Sequence, residues 1–492
     1  MAIAKPSLPA VRARFPLGLR ALALIVVFGG SLLFALSASG KAFNYHEARY
    51  AQGAREMLEG GSWLVPTIGK RPRLQKPPIV YWSMAVAMAV FGSEAEWPAR
   101  LPSVIASLVV ALCLADLGAR RFGRTFGLVA GLAQVSSVYV LVSGQLADPD
   151  MLLAAAVTLG MWSFARVLFD DGSARPRCFA VSFWTAAGIA FLVKGPIGPL
   201  LFVPAALLFS TAARRRDVAR LFLDPFALAS FSILVLGWPL LAYLTHPGIL
   251  DAWREENVAR FRGELGRDSP LFYLYTAPWM ALPWTPFALA GAVSLWKQRP
   301  RDSLFGLLLA WLVVDFAILS LSAGKHDRYL VPVLPPAALF AARGLLDAAP
   351  RVTKWARPAT AFATALALEW ALAVATQRVV AARFDAYGPY RALAQRLNGE
   401  MTPGARLFVA AVPNNVRTQI LYYIRRPTEV VEELQLLEQM LATVREAWVL
   451  APASARGALD QLGTVEVVDG LERLLAHQDE PDRLTLLRLR AG

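Results

Sequence analysis

The chain has 492 residues, of which 56% are hydrophobic and 17% are charged, and its formal net charge is +14 at pH 7. Soluble globular domains have roughly 45–50% apolar and about 25% charged residues, so this composition excludes an ordinary soluble enzyme and indicates a polytopic membrane protein. The basic residues lie in short loops between apolar runs rather than in one basic domain, which argues against a nucleic-acid partner.

Apolar runs long enough to cross a membrane recur along most of the chain. A hydrocarbon core of roughly 30 Å needs about 20 apolar helical residues. Eleven predicted spans lie near 20–38, 98–119, 125–146, 149–169, 177–193, 196–212, 224–244, 272–296, 303–322, 329–347 and 358–380. The apolar segment 79–92 is shorter and is either an interfacial helix or a tilted span, so the predicted count is about 11–13.

Basic clusters predict the orientation of these spans. They comprise Arg12 with Arg14, RRFGR (120–124), RRRDVAR (214–220), KQRPR (297–301) and RVTKWAR (351–357). If 79–92 does not cross, all of them fall on one side, which the positive-inside rule assigns to the cytoplasm. The polar segments 39–78, 146–150, 246–271 and 324–328 then open on the opposite face, where we expect the functional residues of a bacterial inner-membrane protein.

The carboxy-terminal part has a different composition. RLFVAA (406–411) and AWVLAP (447–452) are predicted as buried strands, and 415–424 and 432–444 as amphipathic helices. The prediction is therefore an all-α membrane domain over 1–382 and a small extracytoplasmic α/β domain over 383–492. The latter carries no glycine-rich phosphate motif, which favours a docking or lid role.

Acidic residues on the outer face are candidates for catalysis. Glu47 lies in FNYHEARYAQGAREML (43–58), and Asp148 lies in GQLADPDML (144–152), together with Asp150. Acids at a membrane boundary are expensive unless they are solvated or paired, and they often mark functional sites. The structural alternatives are a helix cap for Asp148 before Pro149 and an ion pair of Glu47 with Arg49.

Cations on the same face are candidates for phosphate binding. GKRPRLQKPPIVYW (69–82) contains Lys70, Arg71, Arg73 and Lys76, and Lys76 precedes two prolines and an aromatic pair. A fixed cation beside an interfacial aromatic belt suits a phosphate-bearing lipid headgroup, whereas the alternative is a lysine that extends to the interface. Further outer cations or aromatic neighbours are Lys194, Arg260, Arg262, Lys325, Arg328 and Tyr329.

Metal and disulfide chemistry have little support in the sequence. The histidines are His46, His246, His326 and His477, and their spacing is not diagnostic of a metal site. No cofactor or metal ligand is predicted, although a divalent metal remains open. Cys113 and Cys178 lie in or near apolar runs, so a disulfide framework is not expected.

Six motifs together resemble a known family. They are EARYAQGAREMLEGGSWLVP, QKPPIVYW, LADPDMLL, LVKGP, ENVARF and SAGKHDRYLVPVLPP, between about residues 40 and 345. Each motif alone is weak, but their common order resembles the bacterial GT-C glycosyltransferases, especially the aminoarabinose transferases that modify lipid A and the relatives of protein mannosyltransferases. The resemblance implies transfer of a sugar from a polyprenyl-phosphate carrier to a lipid A or lipopolysaccharide acceptor on the periplasmic face.

The resemblance also implies roles for individual residues. Lys76 and Arg260 match positions that hold the carrier phosphate, and Tyr329 matches a position near it. Arg49, Asp148 and Lys194 match cavity positions, and Lys325 and Arg328 belong to the same motif as Tyr329. The family's first loop begins Asp-Glu-x-Arg-Tyr, but here His46 replaces the first acid. We therefore expect Glu47 to take the carboxylate role, with His46 beside it.

Other functions remain open at this point. The acceptor is alternatively a protein or another envelope glycan. A transporter or flippase of lipid-linked sugars also has many spans and cavity charges, but such proteins often carry inverted repeats. No internal repeat is found here, and the charged motifs gather at one face, which favours the enzyme.

Overall fold

The computed structural model describes residues 17–92, 95–169, 176–214, 222–262, 268–297, 304–352, 388–402, 404–431, 434–441, 446–452, 464–467 and 484–490, with isolated residues at 218, 454, 457 and within 364–375. Contacts divide the chain into two units. The first unit comprises Met1–Ser37, Leu74–Val80 and Arg100–Ala375, and the second comprises Ala38–Arg73, Tyr81–Ala99 and Thr376–Gly492.

Helices dominate the chain as far as Val352. In chain order they are α1 (Leu19–Ser37), α2 (Tyr45–Leu58), α3 (Ile79–Phe91), α4 (Glu96–Phe122), α5 (Arg124–Val135), α6 (Val138–Ser143), α7 (Asp150–Phe169), α8 (Pro176–Lys194), α9 (Ile197–Leu200), α10 (Val203–Ala212), α11 (Pro225–Thr245), α12 (Ile249–Arg262), α13 (Phe272–Met280), α14 (Thr285–Lys297), α15 (Leu304–Leu321) and α16 (Leu334–Val352). A 3₁₀ helix, Asp327–Val333, precedes α16.

Seven of the predicted spans are continuous helical segments of membrane-crossing length. Within the described residues they are Leu19–Ser37, Glu96–Phe122, Asp150–Phe169, Pro176–Lys194, Pro225–Thr245, Leu304–Leu321 and Asp327–Ala349. Ile79–Phe91 is a shorter apolar helix, as its ambiguous length suggested. The chain is therefore a multi-span membrane protein with a predominantly helical fold.

Three further predicted spans are broken helices. Span 125–146 becomes α5 and α6, span 196–212 becomes α9 and α10, and span 272–296 becomes α13 and α14. The first break lies at Ser136 and Ser137, whose hydroxyls donate to the carbonyls of Leu132 and Ala133. Prolines flank the other two breaks and remove backbone N–H groups that a continuous helix needs. The predicted span 358–380 lies largely outside the described residues.

Two facing glycines allow close packing of α14 and α16. A Cβ atom on Gly291 would lie 1.9 Å from the Phe340 carbonyl oxygen, and one on Gly344 would lie 2.0 Å from the Phe287 carbonyl oxygen. Small residues at such crossings let two helix backbones approach directly. The pair therefore fixes the distance between these two helices of the first unit.

The second unit contains a sheet formed by the carboxy-terminal residues. Its elements are α17 (Gly388–Glu400), β3 (Arg406–Ala410), α18 (Asn414–Tyr423), β4 (Thr428–Val431), α19 (Leu434–Leu441), β5 (Glu446–Pro452), β6 (Thr464–Val467) and β7 (Leu484–Arg490), and the strand order is β4-β3-β5-β7-β6. Strands β4, β3 and β5 are parallel, whereas β7 is antiparallel to β5 and β6. The two predicted strands and two predicted helices are confirmed.

Residues between α1 and α4 pack against this sheet region within the second unit. Arg55 of α2 donates to the carbonyls of Tyr422 (2.5 Å) and Leu421 (3.3 Å), at the end of α18. The Phe43 amide donates to the Tyr423 hydroxyl at 2.8 Å, and that hydroxyl donates to Glu96 at 3.0 Å. The domain boundary predicted between 382 and 383 lies outside the described residues and stays a prediction.

A small hairpin follows α2, formed by β1 (Thr67–Ile68) and β2 (Arg71–Pro72). Gly69 and Lys70 both have positive φ, 60° and 62°, which matches the two-residue turns that join antiparallel strands. The Glu56 carboxylate holds the turn by accepting from the amides of Gly69 (2.6 Å) and Lys70 (3.2 Å). A buried acid on α2 therefore fixes the turn that carries Lys70.

Candidate functional site

Asp148 and Asp150 lie together at the start of α7 in the first unit. Their exposures are 4% and 2%, and Asp148 Oδ1 accepts from the Asp150 amide at 3.1 Å. This hydrogen bond caps the first turn of α7, which is the structural role considered for Asp148 in the sequence analysis. The Asp148 side chain is nevertheless buried. A solvated cap would leave this carboxylate in water, so the burial keeps both acids as candidates for chemistry.

Two cations from other segments reach Asp150. The Lys194 ammonium donates to Asp150 Oδ1, and Arg328 Nε lies 3.9 Å from Asp150 Oδ2. The Lys194 nitrogen also lies 4.3 Å from the centroid of the Tyr329 ring. The structure thus brings together Asp148, Lys194, Arg328 and Tyr329, which the sequence proposed separately. Asp150 is their common partner, and it was not among the predicted site residues.

The two neighbouring carboxyls have different surroundings. Burial, followed by the charge of Asp150, raises the pKa of Asp148 well above its ordinary value of 3.8, although Arg328 and Lys194 oppose the rise. Asp150, not Asp148, has the direct ion pair with Lys194.

Lys76 has a carboxylate partner in the first unit. Its ammonium donates to Glu256 Oε1 at 2.8 Å, and the Trp253 indole of the same helix, α12, donates to the Leu74 carbonyl at 2.8 Å. A phosphate at Lys76 would therefore compete with Glu256. Arg260 lies on α12, but its side chain is outside the described residues.

Lys325 has a different arrangement from its neighbours. It is 5% exposed, its ammonium donates to the Ser322 carbonyl at 2.6 Å, and its amide donates to Asp268 at 3.0 Å. These bonds satisfy backbone groups where α15 ends. The structure therefore gives Lys325 a local role and does not group it with Asp150.

Glu47 caps α2 in the second unit. It is 1% exposed, and its Oε2 accepts from the Asn44 amide at 3.1 Å, while Asn44 Oδ1 accepts from the Glu47 amide at 3.1 Å. This reciprocal pair is a capping box, which fixes the first turn of a helix. The carboxylate expected to act in catalysis thus also has a structural task.

Arg49 and His46 contact each other on the same helix. Arg49 Nη2 lies 3.2 Å from His46 Nδ1, Arg49 Nη1 donates to the Tyr45 hydroxyl at 2.7 Å, and the guanidinium lies 4.7 Å from the Tyr45 ring centroid. Because a guanidinium only donates, His46 Nδ1 accepts, so its neutral Nε2–H tautomer fits this contact. The suggested ion pair of Glu47 with Arg49 is not among the contacts that the structure gives Arg49.

Among the residues that the structure describes, no three His, Cys, Asp or Glu side chains are grouped so as to hold a metal ion. His477, one of the four histidines considered, lies outside this part of the chain. Of the predicted site residues, Asp148, Lys194, Arg328 and Tyr329 cluster in the first unit, and His46, Glu47 and Arg49 lie on one helix of the second.

Related sequences share a large part of the chain. Residues 75–243 match the family model of dolichyl-phosphate-mannose-protein mannosyltransferases. A Pseudomonas aeruginosa protein named undecaprenyl phosphate-alpha-4-amino-4-deoxy-L-arabinose arabinosyl transferase is 33% identical over 336 residues, which cover 66% of this chain and 59% of that protein. A Proteus mirabilis protein of the same name, numbered 2, is 28% identical over 67% of this chain and 60% of its own length. The chain thus spans less than two thirds of these relatives.

Solved structures share the fold over nearly the whole chain. The crystal structure of ArnT from Cupriavidus metallidurans bound to undecaprenyl phosphate superposes with a TM-score of 0.76 at 19% identity, covering 95% of this chain and 97% of that one. An oligosaccharyltransferase from Archaeoglobus fulgidus superposes with a TM-score of 0.51 at 12% identity, covering 88% and 70%. The chain therefore shares the fold of these structures and is similar in sequence to the aminoarabinose transferases over about two thirds of its length.

Proposed function

We propose that this protein is an integral-membrane glycosyltransferase that moves a sugar from a polyprenyl-phosphate carrier to a lipid A or lipopolysaccharide-type acceptor on the periplasmic face of the bacterial inner membrane. The observation that carries the proposal is the pair of buried acids at the start of α7, Asp148 and Asp150, with Lys194, Arg328 and Tyr329 gathered around them. The names of the sequence relatives support the same donor chemistry.

In this proposal, cations stabilise the negative charge of the leaving group. Transfer breaks the bond between the anomeric carbon and a phosphate oxygen, so negative charge develops on the departing polyprenyl phosphate. Fixed cations stabilise such charge more strongly in the transition state than in the bound donor. We assign this task to Lys76 and Arg260, with Glu256 holding the Lys76 ammonium in the absence of donor.

The acceptor determines whether a base is needed. An acceptor hydroxyl forms the new bond to the anomeric carbon and loses its proton to a base or to the leaving phosphate. An acceptor phosphate is already ionised and attacks without proton loss. Burial raises the pKa of Asp148, so this carboxyl holds a proton more readily than a solvated acid does. An acceptor that is already ionised, such as a phosphate of lipid A, requires no proton transfer to Asp148.

We also assign residues of α2, in the second unit, a part in the transfer. Glu47 takes the carboxylate role that His46 leaves vacant in the family pattern, and Arg49 lines the acceptor side. The capping bond of Glu47 means that its removal disturbs both structure and chemistry. Glu47→Gln separates the two effects, because an amide oxygen still accepts from the Asn44 amide but carries no charge.

The test is a transfer assay in membranes with a labelled polyprenyl-phosphate sugar and candidate acceptors, namely lipid A, an envelope glycan and a protein. We expect Asp148→Ala, Glu47→Gln and Lys76→Ala each to lower transfer at least about tenfold, the effect of losing roughly 1.4 kcal/mol of transition-state stabilisation. Lys76→Ala should also raise the KM for the donor. Asp347→Ala, at an exposed acid that pairs with Arg343, is the matched control.

Wild-type transfer in all three well-folded site variants would refute the residue assignments. Transfer to a protein or glycan but not to lipid A would move the acceptor to the alternative class. Movement of the carrier across the membrane with no transfer to any acceptor would favour a flippase instead.

A further inference from the structure

A group of tyrosines surrounds two arginines in the second unit, at the junction of α2, the hairpin and α3. Arg73 Nε donates to the Tyr81 hydroxyl at 2.8 Å, and the Tyr81 ring centroid lies 5.1 Å from that of Tyr50. Tyr50 follows Arg49, whose guanidinium bonds the Tyr45 hydroxyl at 2.7 Å. Each guanidinium thus bonds a phenol, and the two arginines are close enough for the charge of Arg73 to act on Arg49.

Close packing fixes the position of this group. Tyr81 is fully buried and Tyr50 is 5% exposed. A Cβ atom on Gly53 would lie 2.7 Å from two carbons of the Tyr81 ring, so only glycine admits this ring against α2. The Arg73 amide donates to the Pro66 carbonyl at 2.7 Å, which ties its backbone to the hairpin. The two guanidinium groups are therefore held by a rigid frame.

The described partners of both arginines are electrically neutral. They are the phenols of Tyr45 and Tyr81 and the ring of His46, and within the described part of the chain neither guanidinium forms an ion pair with a carboxylate. Arg49 Nε is buried and has no hydrogen-bond acceptor in this part of the chain. Burial and then the charge of Arg73 lower the pKa of Arg49. Both arginines are half-buried, and a charge partly removed from water without a counterion is costly, so a bound anion would stabilise them.

Other arginines of the same unit, unlike Arg49 and Arg73, form ion pairs with carboxylates. Arg391 lies 2.9 Å from Glu96, Arg406 lies 3.1 Å from Glu429, and Arg488 lies 2.6 Å from Glu446. The chain therefore supplies carboxylates to arginines that stabilise the fold. Arg49 and Arg73 instead retain donors that suit the oxygens of an anion, and guanidinium forks match the geometry of phosphate.

We infer that Arg49 and Arg73 form a phosphate subsite that takes a phosphate group of one of the transferase substrates. Phosphate is favoured over a carboxylate because two guanidinium groups offer more donors than one carboxylate accepts, and a phosphate dianion balances both charges. As a role in transfer, the inference rests on the proposed function, but phosphate binding itself is measurable without any transfer.

The first experiment measures binding. The purified full-length protein in detergent is titrated with inorganic phosphate, with potassium chloride at matched ionic strength as the reference, and the shift in unfolding temperature gives an apparent Kd. We expect phosphate to raise the unfolding temperature of the wild type, Arg73→Gln to weaken binding about tenfold and Arg73→Lys to weaken it less. Arg406→Gln, at an arginine that has a carboxylate partner, should bind as the wild type does.

Equal responses of wild type and Arg73→Gln to phosphate would overturn the subsite, as would equal responses to phosphate and chloride. If Arg73→Gln does not fold, Arg73→Lys alone decides. A Kd unchanged by this shorter, non-forked cation contradicts the inference, whereas a raised Kd at unchanged starting stability supports it.

The second experiment identifies whose phosphate binds. The KM for acceptor and the KM for donor are measured separately for wild type and Arg73→Lys. A raised KM for a phosphate-bearing acceptor alone assigns the subsite to the acceptor, and a raised KM for the donor alone assigns it to the carrier. Unchanged values for both overturn the role in transfer. If the wild type transfers no sugar, the proposed function fails, and the phosphate titration still decides whether the subsite exists.

Discussion

Asp150 is the residue on which the buried group at the start of α7 depends. Its carboxylate is 2% exposed and has Lys194 and Arg328 as cationic partners. Taking a carboxylate out of water costs several kcal/mol, and that cost is offset only while the cations and hydrogen bonds stay in place. The group is therefore sensitive to the loss of any one charge.

Lys194→Met tests this dependence. Breaking a buried pair costs roughly 3–5 kcal/mol, and with Arg328 remaining we expect a loss of about 2–3 kcal/mol. The measurement is thermal unfolding of the purified protein in one detergent. Adding Asp150→Asn to Lys194→Met should recover most of the loss, because no unpaired charge remains. A double variant no more stable than Lys194→Met would contradict the ion pair.

Asp148 makes the stability of the protein depend on pH. Its folded-state pKa is raised, so the native state holds the proton more tightly than the unfolded state does. This contribution to stability is present below the unfolded pKa of about 3.9 and is lost as pH rises from there through the folded value. Asp148→Asn keeps a neutral side chain at every pH, so its unfolding temperature relative to wild type should increase between pH 4.5 and pH 8. A constant difference would show that Asp148 does not titrate with a raised pKa.

At the residue scale, the sequence predicts members of the site better than their partners. Asp148, Lys194, Arg328 and Tyr329, which the sequence proposed from motifs, lie together in the structure, and their roles remain predictions. Asp150 and Glu256 were missed as partners, because their ion pairs join residues 44 and 180 positions apart, and no local spacing encodes such pairs.

The hairpin after α2 depends on one side chain. Glu56 accepts four hydrogen bonds, from Gln52, Thr67 and the amides of Gly69 and Lys70. Lys70 sits in a left-handed conformation that disfavours side chains by roughly 1–2 kcal/mol. The carboxylate therefore stabilises a turn that is intrinsically unfavourable.

Glu56→Gln should loosen this turn. The amide group of glutamine presents one oxygen in place of two, so about half of the bonds are lost, at roughly 1 kcal/mol or more. Hydrogen exchange at Gly69 and Lys70 should become about fivefold to tenfold faster. Glu59→Gln, at an exposed acid of the same helix that pairs with Arg55, is the control. Unaltered exchange in Glu56→Gln would show that the turn holds without the carboxylate.

The α14–α16 crossing gives a prediction on packing. Gly291→Ala places a methyl group within 1.9 Å of a carbonyl oxygen, so the helices must separate, at about 1–3 kcal/mol. Gly237→Ala in α11 has no heavy atom within 4 Å of the added Cβ and should stabilise the helix slightly. Unfolding temperatures of the two variants check the contrast. Equal effects would contradict the close crossing.

At the element scale, hydrophobic length predicts the continuous spans, because each must bury its apolar surface in lipid. Breaks within spans follow from short polar or proline signals that a hydropathy window averages out. Pro199 with Pro204 and Pro283 with Pro286 were such signals. The hairpin had a Gly69 signal, but a turn with lysine in the left-handed region is held by Glu56 and is not predictable from local propensity.

For the whole molecule, the sequence predicts the fold class but not the composition of the second unit. The segment between α1 and α3 belongs to the same contact unit as the carboxy-terminal sheet, through Arg55, Tyr423 and Glu96. These contacts join residues more than 300 positions apart, so no linear division of the chain reveals them. The division at residue 382 remains a prediction about domain boundaries alone.

The central claim is that the protein breaks the bond between a sugar and its polyprenyl phosphate and gives the sugar to an acceptor. The most direct measurement uses purified protein in liposomes with a polyprenyl-phosphate sugar labelled in the sugar, plus lipid A. The account predicts label on lipid A and an equal amount of polyprenyl phosphate released, both reduced at least about tenfold in Lys76→Ala. Label that stays on the carrier with every acceptor would contradict the account.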